Sequence, residues 1–276
     1  MIMIVSSKPD EASTSMGRFL LDNYDFKPYG GSGNDFKQGD FLLRFIDERH
    51  LYYDRFEADA KAFGSIGSII VLSRHSSVAD IKSLTVHPTG NFDGAKLGGF
   101  PGKLSMTDPA GMTDALRSIR KKYQGTDFEV AFEATHHGPF LMIPHYYVEI
   151  GTTNNQWENA EALSAVCTSI LDRKENRYRN YVGVGGGHYM PKITKYALEN
   201  AVNVGHMLPK YQHEIVTEGM VRQCVDMTPG CAGFIVDRKG TRSRVRDILK
   251  KVSDESEVPG LNAADADPPT SVRKPT

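Results

Sequence analysis

Cysteine is scarce in this chain, long apolar runs are missing, and neither sign of charge is in excess. The 276 residues include three cysteines, Cys167, Cys224 and Cys231, with no CxxC spacing. That argues against a disulfide framework or a thiolate zinc knuckle and fits a reducing cytoplasm. Cys167 falls on the apolar stripe of a helical pattern and Cys231 opens an apolar run, so both read as core residues. No stretch approaches the apolar length of a membrane span, and the opening MIMIVSS is too short, and lacks the basic flank, for a signal peptide. It reads as a first buried strand. The formal net charge is −1, so the molecule is no polycation drawn to nucleic acid in general, and any RNA contact must come from a local patch. No GxGxxG or GxxxxGKS/T motif opens a helix, which takes the main support from dinucleotide and P-loop readings, and no internal repeat is present.

What is present is an alternation of apolar runs with helical periodicity, in a chain whose 39% apolar content can bury one large core or two modest ones. The pattern predicts an α/β fold with a mixed central sheet flanked by helices. Strands are expected over 1–6, 40–46, 68–73, 83–87, 127–134, 146–150, 178–184, 202–207 and 233–236. Helices are expected over 12–23, 108–123, 156–173, 191–200, 215–226 and 242–252. In the helix over 156–173, Leu163, Val166, Cys167, Ile170 and Leu171 repeat at spacings of three and four, and Asn154 or Asn155 can cap it. The pattern weakens over 54–67 and again over 89–106, where Gly90, Gly94, Gly98, Gly99 and Gly102 suggest a long functional loop. Residues 1–252 therefore read as a single α/β catalytic domain, and 253–276 as an acidic, Pro-containing tail whose composition predicts disorder.

Seven of the nine histidines sit just after a short β-rich apolar run, beside Gly, Pro, Ser or Thr. For six of the seven the runs end in SRHSS (His75), LTVHPTGN (His87), EATHHGP (His136, His137), GVGGGHYMPK (His188) and GHMLPKY (His206). In an open α/β sheet the ligand crevice lies outside the carboxyl ends of the strands, so these imidazoles are expected to converge there as a hydrolytic or metal-assisted centre. His50 and His213, in charged surroundings, read as surface residues. Neighbouring strand residues point to opposite faces, so unless the strand has already ended only one of His136 and His137 is expected in the crevice, with the other packed below it. Glu149, an acid amid apolar residues, must be ion-paired, bound to a metal or protonated. The glycines Gly185, Gly186 and Gly187 can cradle an anion or an oxyanion, and equally can make a plain tight connection. Thr89 and Asn91 can bind a phosphate or a ribose hydroxyl, or serve only as turn residues. Basic residues cluster at 117–122, at 173–179 and at 238–251. The like charges of Arg242, Arg244 and Arg246 in the last cluster would be relieved by phosphate.

Taken in order, SRHSS, LTVHPTGN, EATHHGP, YVEIGTTNNQWENAEA, GVGGGHYMPK and GHMLPKY resemble the D-aminoacyl-tRNA deacylases of the archaeal and plant type, over residues 1–237. The resemblance implies hydrolysis of the ester between a D-amino acid and the terminal ribose of tRNA, zinc as cofactor, and a cytoplasmic monomer. It also implies a core similar to peptidyl-tRNA hydrolase and phosphorylase-like folds. Zinc held by histidine and carboxylate would activate water and polarise the carbonyl. Motif position and chemistry suggest His75, His87, Glu149 and His206 as ligands and His136, His137 and His188 as catalytic groups. The substrate-binding groups would be Thr89, Asn91, Gly185, Gly186, Gly187, Arg242, Arg244 and Arg246. Another hydrolase or phosphorylase on the same core, and a non-catalytic RNA-binding module with a structural zinc, are the rival classes. A histidine and carboxylate set with an open position favours catalysis over a closed structural site.

Overall fold

In the computed structural model, residues 1–76, 81–255 and 262–265 are described. The N-terminal half contains β1 (Ile2–Ser7), α1 (Glu11–Asn23), β2 (Lys27–Pro28), β3 (Asp35–Gln38), β4 (Phe41–Ile46), α2 (Phe56–Ala62), β5 (Ser68–His75) and β6 (Ser83–His87). There follow α3 (Pro109–Lys122), β7 (Glu129–Phe132), β8 (His145–Gly151), α4 (Asn154–Trp157) and α5 (Ala160–Leu171). The chain continues through β9 (Arg179–Val184), α6 (Pro191–Glu199), β10 (Val202–Leu208), α7 (Glu218–Asp226), β11 (Cys231–Val236), α8 (Ser243–Asp254) and β12 (Asn262–Asp265).

The strands form a mixed sheet of order β2-β3-β4-β1-β5-β8-β6-β7 and a second sheet of order β10-β9-β11-β12. In the first, β4, β1, β5 and β8 run parallel, whereas β6 is antiparallel to β8 and carries β7 parallel beside it. The inner strands are apolar on both faces, as strands covered on both sides must be. Ile4, Leu72, Leu84, Val148 and Phe132 face a core shared with α1, α3 and α5, and Val204, Met207 and Ile235 of the second sheet belong to the same cluster. Met3, Val5, Ile69 and Val71 face the other way, against Phe56 and Ala60 of α2. The segment after β7 joins the two sheets, since Ala134 N donates to His188 O at 2.7 Å and Thr135 N to Met207 O at 3.0 Å.

The nine expected strands are all present with small shifts at their ends. Three more were not expected: β12 in the tail, and β2 and β3, which are short strands at one side of the sheet with little alternation to detect. Helix α2 lies where the pattern weakened. The expected helix over 156–173 is interrupted: Thr153 and Gln156 make a capping box for α4, and Asn159 Oδ1 accepts from Ala162 N at 2.9 Å to start α5 afresh. The cap of α5 is therefore Asn159, and the side chains of Asn154 and Asn155 lie outside what is described. In the expected tail, α8 reaches Asp254 and β12 pairs parallel with β11, and residues 256–261 and 266–276 lie outside the described residues. His50 and His213 are buried rather than on the surface.

Asp108 links several of these elements. Its Oδ1 caps α3 by accepting from Gly111 N at 2.9 Å, and its Oδ2 accepts from Ser68 Oγ at 2.6 Å and pairs with Arg173 Nη1 at 2.7 Å. Replacing Asp108 by Ala removes the cap and leaves a largely buried guanidinium without its partner, which should cost about 3–5 kcal/mol. Urea unfolding measures this, and a loss below about 1 kcal/mol would show that Arg173 finds another acceptor.

Candidate active site

The first sheet places acids and imidazoles on one face by strand periodicity. Ser73 of β5, Glu149 of β8 and Thr85 of β6 stand side by side in register, and His87 pairs with Tyr147 two residues along β8. Glu133 extends the β7 ladder by one residue, its N–H donating to Val86 O at 3.1 Å. Because side chains alternate, His75, Glu149, His87 and Glu133 share this face. The expected placement at the carboxyl ends of the strands therefore needs correction. β6 runs antiparallel to β5 and β8, so the ends that carry His75 and His87 point in opposite directions, and the two imidazoles meet over Glu149 on the sheet face.

Glu133 and Glu149 are buried, and the imidazoles answer their charge. His75 Nδ1 lies 2.9 Å from Glu133 Oε1 and 3.4 Å from Glu149 Oε2. His87 Nε2 lies 3.2 Å from Glu149 Oε1, which also accepts from Ser73 Oγ at 2.7 Å. From the second sheet, His188 Nε2 donates to Glu133 Oε2 at 2.9 Å, and Tyr189 places its hydroxyl 2.9 Å from His75 Nε2. Burial opposes a charge on His75, but its bonds to Glu133 and Glu149 prevail and lift it to about 11. His87 is raised for the same kind of reason. Burial would push both acids up, yet His188 and His75 hold Glu133 well below the ordinary carboxylate range, and His87 and His75 hold Glu149 below it. The two acids and the two imidazoles between them thus favour each other's charged forms.

His136 and His137 complete the group. The strand has ended before them and His137 takes a left-handed backbone with φ 44°, so both rings turn to the same side and neither packs below. Ring centroids of His87, His136 and His137 lie 4.3 to 4.9 Å apart. Burial is the main cause that drives His136 down to about 3 and depresses His137, which keeps both neutral. His136 Nδ1 donates to Ala134 O at 2.8 Å, His137 Nδ1 to Gly138 O at 2.6 Å and His87 Nδ1 to Pro88 O at 3.2 Å. A carbonyl can only accept, so each Nδ1 carries hydrogen and the Nε2 atoms of neutral His136 and His137 keep their lone pairs, as second-shell bonds arrange them in metal sites.

These donors fit a metal ion. Ligand atoms of His87, His136 and His137 lie within 4.8 Å of one another, as do those of His75, Glu133 and His188, and those of His87, Glu133 and Glu149. His87 Nε2 and Glu133 Oε1 are buried, and each meets one ion-pair partner, Glu149 Oε1 at 3.2 Å and His75 Nδ1 at 2.9 Å.

Several sequence expectations fail here. His206 is fully buried, with Nδ1 3.0 Å from Thr135 Oγ1 and Nε2 donating to Ser105 O at 2.8 Å; it ties β10 to the neighbouring loops and belongs to none of the ligand groups. The Thr89 hydroxyl donates to Pro139 O at 2.9 Å and lies 2.7 Å from His145 Nε2, fully buried, so it locks the loop rather than meeting a substrate. Asn91 is likewise turned inward, Nδ2 donating to Gly98 O at 2.9 Å. The Gly185 amide is occupied by Leu208 O at 2.9 Å, which leaves Gly186 and Gly187 as the part of the cradle nearest His188. Arg242 is paired with Glu214, Arg244 Nη2 donates to Val216 O at 2.9 Å, and Arg246 donates to Thr241 O. The repulsion that called for phosphate is therefore already relieved within the chain. Glu133 was missed, although the reasoning applied to Glu149, an acid within an apolar run, describes VAFEATHH equally well.

A sequence model of D-aminoacyl-tRNA deacylases matches residues 63–260. The chain belongs to the D-aminoacyl-tRNA deacylase family. It is 48% identical over 257 residues to the D-aminoacyl-tRNA deacylase of Thermoplasma acidophilum, covering 93% of this chain and 97% of that protein. It is 32% identical to that of Pyrococcus horikoshii, covering 92% of this chain and 97% of the relative. The crystal structure of a conserved protein of unknown function superposes with a TM-score of 0.89 at 30% identity, over 96% of this chain and 95% of that one. In this deacylase, His206→Ala should cost about 1–3 kcal/mol through the polar groups it leaves buried and unpaired, while metal content stays unchanged. His136→Ala should do the reverse. Unfolding curves with elemental analysis compare the two, and loss of metal from the folded His206 variant would return that residue to the ligand set.

Proposed function

We infer that this chain hydrolyses the ester joining a D-amino acid to the terminal ribose of tRNA, and that it does so at the imidazole and carboxylate cluster over β8. The observation that carries the assignment is the trio His87, His136 and His137, each Nδ1 held by a backbone carbonyl, beside the buried acids Glu133 and Glu149. An aminoacyl ester is already activated, so the site must supply a nucleophilic water, a proton acceptor and donors to the developing oxyanion.

The imidazole trio would hold zinc, since three protein ligands with a position left open is the pattern of catalytic zinc sites. Bound there, zinc lowers the pKa of water to about 7 and polarises a carbonyl. The remaining groups handle protons and charge. His188 is a third exposed and its Nε2–H donates to Glu133 Oε2, which leaves Nδ1 to take the proton of the attacking water. Glu133 steadies the resulting imidazolium, as a buried carboxylate does for a catalytic histidine. His75 sits between the two acids and keeps them from repelling each other, with Tyr189 closing the wall beside it. Among the described residues no helix is long and apolar enough to cross a membrane. A tRNA substrate agrees with action in the cytoplasm, and a cluster drawn from one chain agrees with action as a monomer.

D- and L-tyrosyl-tRNA assayed side by side, with metal counted in each variant, test this scheme. The parent should release D-tyrosine in preference to L-tyrosine and stop on chelation. His136→Ala should lose metal and activity together. His188→Ala should keep its metal and lose on the order of a hundred- to ten-thousandfold in kcat. Equal release of both enantiomers would defeat the chirality assignment, and metal loss from the His188 variant would make that residue a ligand instead of the base.

A further inference from the structure

The glycine-rich loop between β6 and α3 takes no part in the chemistry above, yet it displays large apolar side chains beside the site. Leu97 and Phe100 on this loop are 48% and 59% exposed, and Tyr52, against which Gly98 packs, is 52% exposed. Phe100 meets Phe140 edge-on, with ring centroids 5.6 Å apart. The loop is stitched to the segment that bears the histidines. Gly90 N donates to His137 O at 2.8 Å, and Gly138 N donates to Leu97 O at 2.9 Å. Gly98 has φ 75° and presses on the backbone of Leu51, where a Cβ would come within 1.8 Å of the carbonyl oxygen. Only glycine permits that approach, and it brings Tyr52 and the loop tip together.

Cations are interleaved with these rings. The Arg49 guanidinium lies over the Tyr52 ring at 5.9 Å, and Lys96 and Lys103 are exposed on the loop. Aromatic faces alternating with basic side chains bind unpaired nucleic acid, the bases stacking on the rings and the phosphates meeting the cations. The placement agrees with the chemistry of the substrate: the ester is carried by the terminal ribose, so the base of that nucleotide and its neighbours lie next to the reacting carbonyl. We propose that Tyr52, Phe100 and Phe140, with Leu97, form a stacking platform for the unpaired bases at the 3′ end of the substrate tRNA, with Arg49, Lys96 and Lys103 on their phosphates. The proposal rests on the deacylase reading of the adjoining site, and its test separates the two.

Tyr52 and Phe100 are more than half exposed, so the double variant Tyr52→Ala, Phe100→Ala leaves the core intact. Its affinity is measured by fluorescence anisotropy for uncharged tRNA and for the same tRNA trimmed of its unpaired 3′ nucleotides. Kinetics are followed on D-tyrosyl- and D-alanyl-tRNA. Affinity for intact tRNA should fall on the order of ten- to a hundredfold, binding of trimmed tRNA should not change, and kcat at saturation should hold. Phe100→Trp should retain the parent affinity. Unchanged binding of intact tRNA, or an equal loss with trimmed tRNA, overturns the platform. So does a KM effect seen with D-tyrosyl- but not D-alanyl-tRNA and no change in uncharged tRNA binding, which would assign the patch to the amino-acid side chain. A parent that binds tRNA through the platform yet releases no D-amino acid sinks the deacylase reading and leaves the platform standing.

Discussion

Two carboxylates withdrawn from water on one face of a sheet govern this structure. An ionised acid in such a place is tolerated only when cations or donors surround it. Glu133 and Glu149 draw His75 between them, His87 onto Glu149 and His188 across from the second sheet onto Glu133. The same charge, set against burial, accounts for the contrast among the imidazoles. His75 and His87 are pushed toward the cationic form by Glu133 and Glu149, whereas burial pushes His136 and His137 toward the neutral one.

Meeting that requirement shapes the fold around it. An all-parallel sheet would have sent His75 and His87 toward one rim. The reversal at β6 instead sets both over Glu149 in mid-sheet. The residues after β7 then perform three tasks in close succession. Glu133 joins the floor, Ala134 and Thr135 bind the second sheet, and His136 and His137 rise over the acids. His206, Thr89 and His145 are absorbed into the joints that hold this segment, since a short crowded connection leaves many buried polar groups in need of partners. The glycine-rich loop is fastened to the same segment by the bonds of Gly90 N to His137 O and of Gly138 N to Leu97 O.

Much of this was legible in the residues. The nine apolar runs marked strands because β-branched alternation is a local signal, and the histidines stood out because seven shared one kind of position. Glu149 was recognised by the rule that a buried acid must be answered, and Glu133 was missed only because that rule was not applied to it. The expected ligand role of His206 and the expected tRNA contact at Arg242, Arg244 and Arg246 could not have been corrected from sequence. Whether an imidazole faces a cavity or Ser105 O, and whether a guanidinium meets solvent, Glu214 or Val216 O, depends on residues distant in the chain.

The sequence by itself determined the α/β class, the strand list, the family and the set of motifs from which the site is drawn, because these depend on composition, local periodicity and the order of short segments. Only the tertiary structure decided that the site lies on a sheet face, that Glu133 is its central acid and that His136 and His137 point the same way. The direction of β6 relative to β8 follows from how its connections pack, and the backbone turn at His137 follows from the end of β7. Neither leaves a periodic trace along the chain, so sequence pattern alone cannot carry it.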